Sequence, residues 1–138
     1  MTRALLVVDA GDSMFGLDAS MVREILPMRG VTRLPGAPAP VRGLLNVRGT
    51  LVTVVDLAAQ AGRGIVSAPD ASVVILVAAG RTLGAVVDDV KEIHQFDVEQ
   101  LLTPPANDAN ALIRALGHFE SRVVLEVDVL ELVRQTLA

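Results

Sequence analysis

Two histidines, His94 and His118, and the adjacent carboxylates Asp88 and Asp89 are the residues of this chain whose types suit metal ligation or proton transfer. Their spacing argues against both. The histidines lack the His-x₃-His interval that puts two imidazoles on one helix face. Adjacent residues on a strand point to opposite faces, so Asp88 and Asp89 make a poor general acid/base pair and read instead as the end of a strand. The sequence contains no G-x-S-x-G elbow, no Walker A loop and no strand–G-x-G-x-x-G–helix unit. Cysteine is absent, which removes thiolate nucleophiles, disulfides and zinc–sulfur sites. What remains is a charged constellation in an apolar setting. The stretch "GLLNVRGTLVTVVDLA" places Arg48 beside a glycine and Asp56 a strand's length later. A buried strand would take valine at both places, so these charges either punctuate turns or serve another molecule.

The composition narrows the classes of function. Of 138 residues, 51% are hydrophobic and 20% charged, a balance that folds and that suits a single domain, 1–138. The net charge of −4 and the absence of Tyr and Trp remove both the basic footprint and the stacking platforms on which nucleic-acid binding rests. The apolar run at 4–8 is cut by Asp9, too short for a signal-peptide core, and no window reaches the roughly 20 apolar residues needed to cross a bilayer. These features read as a soluble, cytoplasmic chain with no membrane insertion, no cofactor and no metal.

Short Val/Leu/Ile runs separated by Gly, Pro or Asp indicate strands and turns. Residues 5–9 and 14–17 read as a hairpin. "DASMVREILP" places Met21, Val22, Ile25 and Leu26 at helical spacing after Asp18 or Ser20 as cap, so a short helix is expected there, ended by Pro27. The proline-rich "VTRLPGAPAPVRG" is a surface connector. Strands at 42–46 and 50–56 flank the turn Asn46-Val47-Arg48-Gly49, with Asp56 expected to cap the "LAAQ" turn. A second hairpin turns at 79–81, a strand follows at 91–96, and "SRVVLEV" is another, with His118 in a loop before it. Asp128 and Glu131 resemble a capping box for a C-terminal helix with Leu130, Val133 and Leu137 on one side. About eight short strands and two or three short helices, without internal repeats, predict an all-β barrel or paired barrels.

Three segments together resemble the CheW-like domain family: "FGLDASMVREIL", "VTRLPGAPAPVRGLLNVRGTLVTVVDL" and "LGAVVDDVKEI". The resemblance spans nearly the whole chain. It implies a mainly β fold of two SH3-like five-stranded barrels around a shared hydrophobic core, with short helices including a C-terminal one. It also implies a non-catalytic adaptor that joins the cytoplasmic tip of a chemoreceptor to the regulatory domain of a CheA-type histidine kinase. Carried over residue by residue, the receptor-facing region falls on Val22, Glu24, Gly43 and Arg48, with an ion pair between Glu24 and Arg48. The kinase-facing surface is placed at Leu83, Gly84 and Val86, for which ordinary hairpin core is an equal reading.

Departures from the family pattern are Phe15 for Tyr, Thr53 for Pro, Ala58 where an Arg commonly follows Asp-Leu, Glu126 where an apolar residue is usual, and a short segment between Pro105 and Arg122. They leave open a non-flagellar motility pathway, or a homologue that binds receptors without kinase. The competing class is a small-ligand-binding β-barrel, which requires a pocket with convergent polar groups.

Overall fold

The computed structural model describes residues 1–104 and 111–137. Strands β1 (Thr2–Ala10) and β2 (Ser13–Asp18) form the first hairpin, followed by a 3-10 turn at Ala19–Met21. Then come β3 (Val22–Pro27), β4 (Val41–Val47), β5 (Thr50–Asp56) and the single-turn helix α1 (Leu57–Gln60). The second half runs β6 (Ser72–Ala78), β7 (Arg81–Val87), β8 (Asp89–Asp97), β9 (Ile113–Phe119), β10 (Arg122–Val127) and helix α2 (Val129–Leu137). Two five-stranded sheets result, ordered β3-β6-β7-β5-β4 and β8-β1-β2-β10-β9. Each is antiparallel except for one parallel pair, β5 with β7 and β10 with β2.

Each sheet curls until its far edge meets the segment leaving its near edge. Thr32, beyond β3, bridges to Leu44 of β4, and Leu102, beyond β8, bridges to Leu116 of β9. The sheets are therefore two small barrels, the first built on β3–β7 and the second on β1, β2 and β8–β10. A large apolar cluster joins them, running from Phe15 and Leu17 through Val54, Leu76 and Leu83 to Leu132. A smaller one, Leu5, Val7, Met14, Phe96, Phe119 and Val124, fills the second barrel. β6 is buried on both faces from Val73 to Leu76, as a strand shared between a barrel interior and the common core must be.

Residues 22–27 are a strand where helical spacing had suggested a helix. The run is too short for periodicity to separate the two, and β6 supplies the backbone partners from Val22↔Leu76 to Pro27↔Ser72. Its side chains alternate: Val22, Glu24 and Leu26 are partly covered, while Arg23, Ile25 and Pro27 are exposed. Asp18 does cap what helix there is, its Oδ1 accepting from the Ser20 amide at 2.9 Å. His118 lies in strand β9 and not in a loop; Gly117 and the short Ala115 mask the alternation of that strand. In α2 the buried face is Val129, Leu132 and Val133, and Leu130 is 51% exposed, so the apolar side is turned relative to the expected one. The expected cap is present, with Asp128 Oδ1 accepting from the Glu131 amide at 3.1 Å.

The chain also contains a repeat that its residues conceal. The order hairpin, three strands, helix occurs twice, and each barrel takes its central hairpin from one half and its other three strands from the other half. The bulge in β3 between Val22 and Glu24 has its counterpart in the β1–β8 pairing, where Val8↔Val90 is followed by Val7↔Glu92. Asp56 caps α1 through the Ala59 amide as Asp128 caps α2.

Asp88 ties the barrels together at the β7–β8 junction. Its carboxylate accepts from the amides of Gly11 (2.7 Å), Ser67 (2.9 Å) and Ala68 (2.8 Å). Burial by itself raises its pKa, but the three amides and the charge of Arg42 outweigh that and hold it below the usual aspartate value. A depressed folded-state pKa contributes stability that is present above the unfolded value and lost as pH falls through the folded one. Urea titrations at decreasing pH are expected to show an acid-dependent loss that Asp88→Asn makes smaller; an unchanged pH profile in the variant would remove Asp88 from this role.

Candidate partner-binding surface

The turn between β4 and β5 has only two residues outside the ladder, since Val47 pairs with Thr50. Both carry positive φ, 49° at Arg48 and 87° at Gly49, the geometry that matches strand twist in a tight hairpin. Asn46 Oδ1 accepts from the Gly49 amide at 2.8 Å and fixes the turn. Arg48 is thereby held out at the tip, and its guanidinium forks onto the Glu24 carboxylate of β3, Nη1 to Oε2 at 2.5 Å and Nη2 to Oε1 at 2.8 Å. The expected Glu24–Arg48 pair is therefore present. Its members differ in exposure: 74% of the Arg48 side chain is accessible and 17% of Glu24. The fork from Arg48 is the main cause that holds the Glu24 carboxyl below its usual range, and the same hydrogen bonds raise Arg48. One face of the guanidinium stays open to a partner.

Val22, two residues before Glu24, is partly covered and packs against the large core. Gly43 offers little surface. It is buried with φ of 146°, and a Cβ there would lie 2.1 Å from the Thr32 carbonyl oxygen. Its role is to let the connector lie on β4, where Thr32 and Leu44 exchange amide-to-carbonyl bonds of 2.7 and 2.8 Å.

Leu83 and Val86 have no exposed area, and Gly84 is buried beneath Val73 and Val54, whose methyls would stand 2.8 and 3.2 Å from an added Cβ. These three residues are hairpin core, so the surface expected at Leu83, Gly84 and Val86 is not there. The physical reason is that β7 is covered on both faces from Leu83 to Val87, as β6 is, while β6 and β5 pair with its two edges.

Two buried carboxylates, Asp56 and Glu126, are ion-pair centres. Asp56 caps α1 as expected, but it also accepts from Arg42 Nη2 and from the Val66 amide, both at 2.9 Å. Counting the hairpin register back from the Arg48 turn brings position 42 opposite 55–56, a signal that was available. Glu126, 1% exposed, is met by Arg3 Nη1 at 2.5 Å and by Arg114 Nε at 3.9 Å. That answers its unusual place in an apolar run. Ala58 is fully buried against Gly11 and has no space for a longer side chain. The residues 105–110 within the shortened segment lie outside the described residues.

His94 packs edge-on to Phe96 (4.7 Å) and Phe119 (5.1 Å), and with His118 it lines a cavity of about 180 Å³ at the mouth of the second barrel. Among the described residues no three His, Asp or Glu side chains converge as a metal site. Asp89 contacts Lys91 at 3.2 Å while Asp88 is engaged with amides, so the two carboxylates are held apart in function. No helix of the described residues is long and apolar enough to cross a membrane.

Comparison with known proteins agrees with this architecture. The family model described as CheW-like domain matches residues 4–137. The chain is 37% identical over 131 residues to the Chemotaxis protein CheW of Rhizobium meliloti, covering 91% of this chain and 84% of that one. It is 30% identical over 128 residues to the Chemotaxis protein CheW of Klebsiella aerogenes, covering 90% of this chain and 77% of the relative. Its fold is similar to the crystal structure of the scaffolding protein TtCheW from Thermoanaerobacter tengcongensis, with a TM-score of 0.83 at 24% identity over 93% of this chain and 90% of that one. A match over almost the full length, on a two-barrel fold with the Glu24–Arg48 fork at its exposed turn, means that the chain belongs to the CheW-like domain family.

Proposed function

We propose that this protein is a chemotaxis-type coupling adaptor, without catalytic activity, that acts in the cytoplasm by joining a chemoreceptor tip to the regulatory domain of a CheA-type histidine kinase. The observation that carries the receptor side of this reading is the exposed guanidinium of Arg48, oriented by Glu24 at a rigid turn. A fork already fixed by one carboxylate adds orientation to a docking helix at little ordering cost, while apolar contacts supply affinity. Val22 and Gly43 support the site from beneath, Val22 through packing and Gly43 through the connector it admits. Family membership and the names of the relatives support the kind of partner. A small-ligand barrel is not favoured, because the charged groups of the larger cavity of about 390 Å³ beside Gly11 are already engaged, Asp88 with the amides of Gly11 and Ser67 and Arg122 with Asp9.

Arg48→Glu is expected to weaken receptor binding at least about tenfold, since reversal sets like charges together at the contact. The fold and kinase binding should be nearly unchanged, because Arg48 is exposed and its turn is held by Asn46 and Gly49. Glu24→Arg combined with Arg48→Glu should recover part of the loss. Titration calorimetry with a receptor-tip fragment, with a kinase regulatory domain as control, decides it: equal loss of both partners, or of neither, would rule out Arg48 as the receptor contact.

A further inference from the structure

The nested repeat divides the chain into two halves, β1 to α1 and β6 to α2, and the seams between them are strand pairings. They run along β1–β8, β2–β10, β3–β6 and β5–β7. Neither half holds a whole barrel. Inside a half the paired strands are the local hairpins, β1–β2 and β4–β5 in the first, β6–β7 and β9–β10 in the second. Each half thus presents open edges that only the complementary half satisfies.

One covalent connection joins the halves, residues 61–71, and it contains no strand or helix. Its first part is exposed from Gly62 to Ile65, with Gly62 and Gly64 at φ of 71° and 89°. Three backbone bonds hold it there: Gly62 amide to Ala59 carbonyl (3.1 Å), Arg63 amide to Ala58 carbonyl (2.8 Å) and Asp12 amide to Arg63 carbonyl (2.9 Å). Water can replace all three. The second part is pinned to both halves, Val66 to Asp56 and Arg42 of the first, Ser67 and Ala68 to Asp88 of the second. These pins and the four seams are the same whether one copy or two supply the halves.

We propose that copies of this chain exchange halves, β1 to α1 of each copy completing both barrels with β6 to α2 of the other, and 62–65 acting as the hinge. A short connection gives the halves of one copy an effective concentration of about 1 mM for each other, so dilute chains close on themselves and crowded ones exchange. In the exchanged dimer β3, which carries Glu24, lies on β6 of the second copy, and β5, which follows Arg48, lies beside its β7. Each Glu24–Arg48 surface is then completed by the other chain. The inference rests on strand order and on the hinge, and stands apart from the receptor reading.

Two full-length variants, each broken in one half, test it. Val54→Asp puts a carboxylate at a fully buried position of β5, and Val86→Asp does the same in β7, so each alone stays unfolded. Exchange unites the sound first half of one with the sound second half of the other. An equimolar mixture refolded from urea should regain about half of the wild-type ellipticity, one sound unit for every two chains, and sediment with the mass of two chains. A mixture no more structured than its separate components overturns the proposal. A hinge variant gives a second readout. Gly62→Pro with Gly64→Pro forbids the positive φ at both places and extends the hinge, so a folded dimer is expected at concentrations where the wild type is a monomer. A proline variant that folds as a monomer would overturn it equally.

Discussion

Asp56→Ala is expected to lower the unfolding free energy by about 3–5 kcal/mol, as breaking a buried ion pair from one side does. The carboxylate is 1% exposed and accepts from Arg42, the Val66 amide and the Ala59 amide, so it joins β4, β5, α1 and the loop that follows α1. Truncation strands two amides and leaves the Arg42 guanidinium with the Val66 carbonyl as its remaining partner. Against a total stability of about 5–15 kcal/mol, such a loss leaves a marginal fold. Asp56→Asn retains the size and an acceptor oxygen, so its cost should be intermediate. Urea unfolding read by circular dichroism checks both, and a midpoint unchanged in the alanine variant would mean that Asp56 holds nothing together.

The second large effect is expected at Gly43. Gly43→Ala adds a methyl 2.1 Å from the Thr32 carbonyl oxygen and 2.8 Å from its carbon, both backbone atoms, at a φ of 146°. Strained φ and overpacking together suggest a cost of about 2–5 kcal/mol. The readout separates a supporting role from direct contact. If Gly43 supports the connector, stability falls and the folded fraction binds a receptor-tip fragment with reduced affinity because the surface has moved. Weakened binding at an unchanged urea midpoint would instead assign Gly43 to the contact itself.

Hairpins were readable in the sequence because their evidence is local. Asn46 and Gly49 state the turn, and the valines of β5 and β6 state the strands. β3 was misread because its six residues satisfy both periodicities, and the partner that decides between them, β6, lies about 50 residues away in the chain. β9 was lost because Gly117 is chosen for the close approach of Phe96 and Leu101 (3.0 and 3.1 Å from a Cβ), a constraint from distant segments that weakens its strand signature. The Glu24–Arg48 pair could be anticipated from the family pattern, whereas the burial of Leu83, Gly84 and Val86 follows from the cover on both faces of their strand, which no local pattern records. The repeat was invisible for a similar reason: equivalent positions share geometry and differ in chemistry, as Arg48 and Glu120 do at the two hairpin tips, both with φ of 49°.

The exchange of hairpins between halves has a consequence for the order in which the protein is made. The first barrel is contiguous in the chain, but the second needs β1 to meet β8, a pairing that runs from Thr2↔Asp97 to Asp9↔Asp89. Closing so long a loop is costly and slow unless the intervening segment has already collapsed. A ribosome therefore releases β1 long before its neighbour β8. Until β8 emerges, Leu5 to Val8 have β2 on one side and an open edge on the other, which is the exposed strand edge that invites aggregation. Recovery of folded protein is therefore expected to depend on synthesis rate and chaperone supply as well as on final stability.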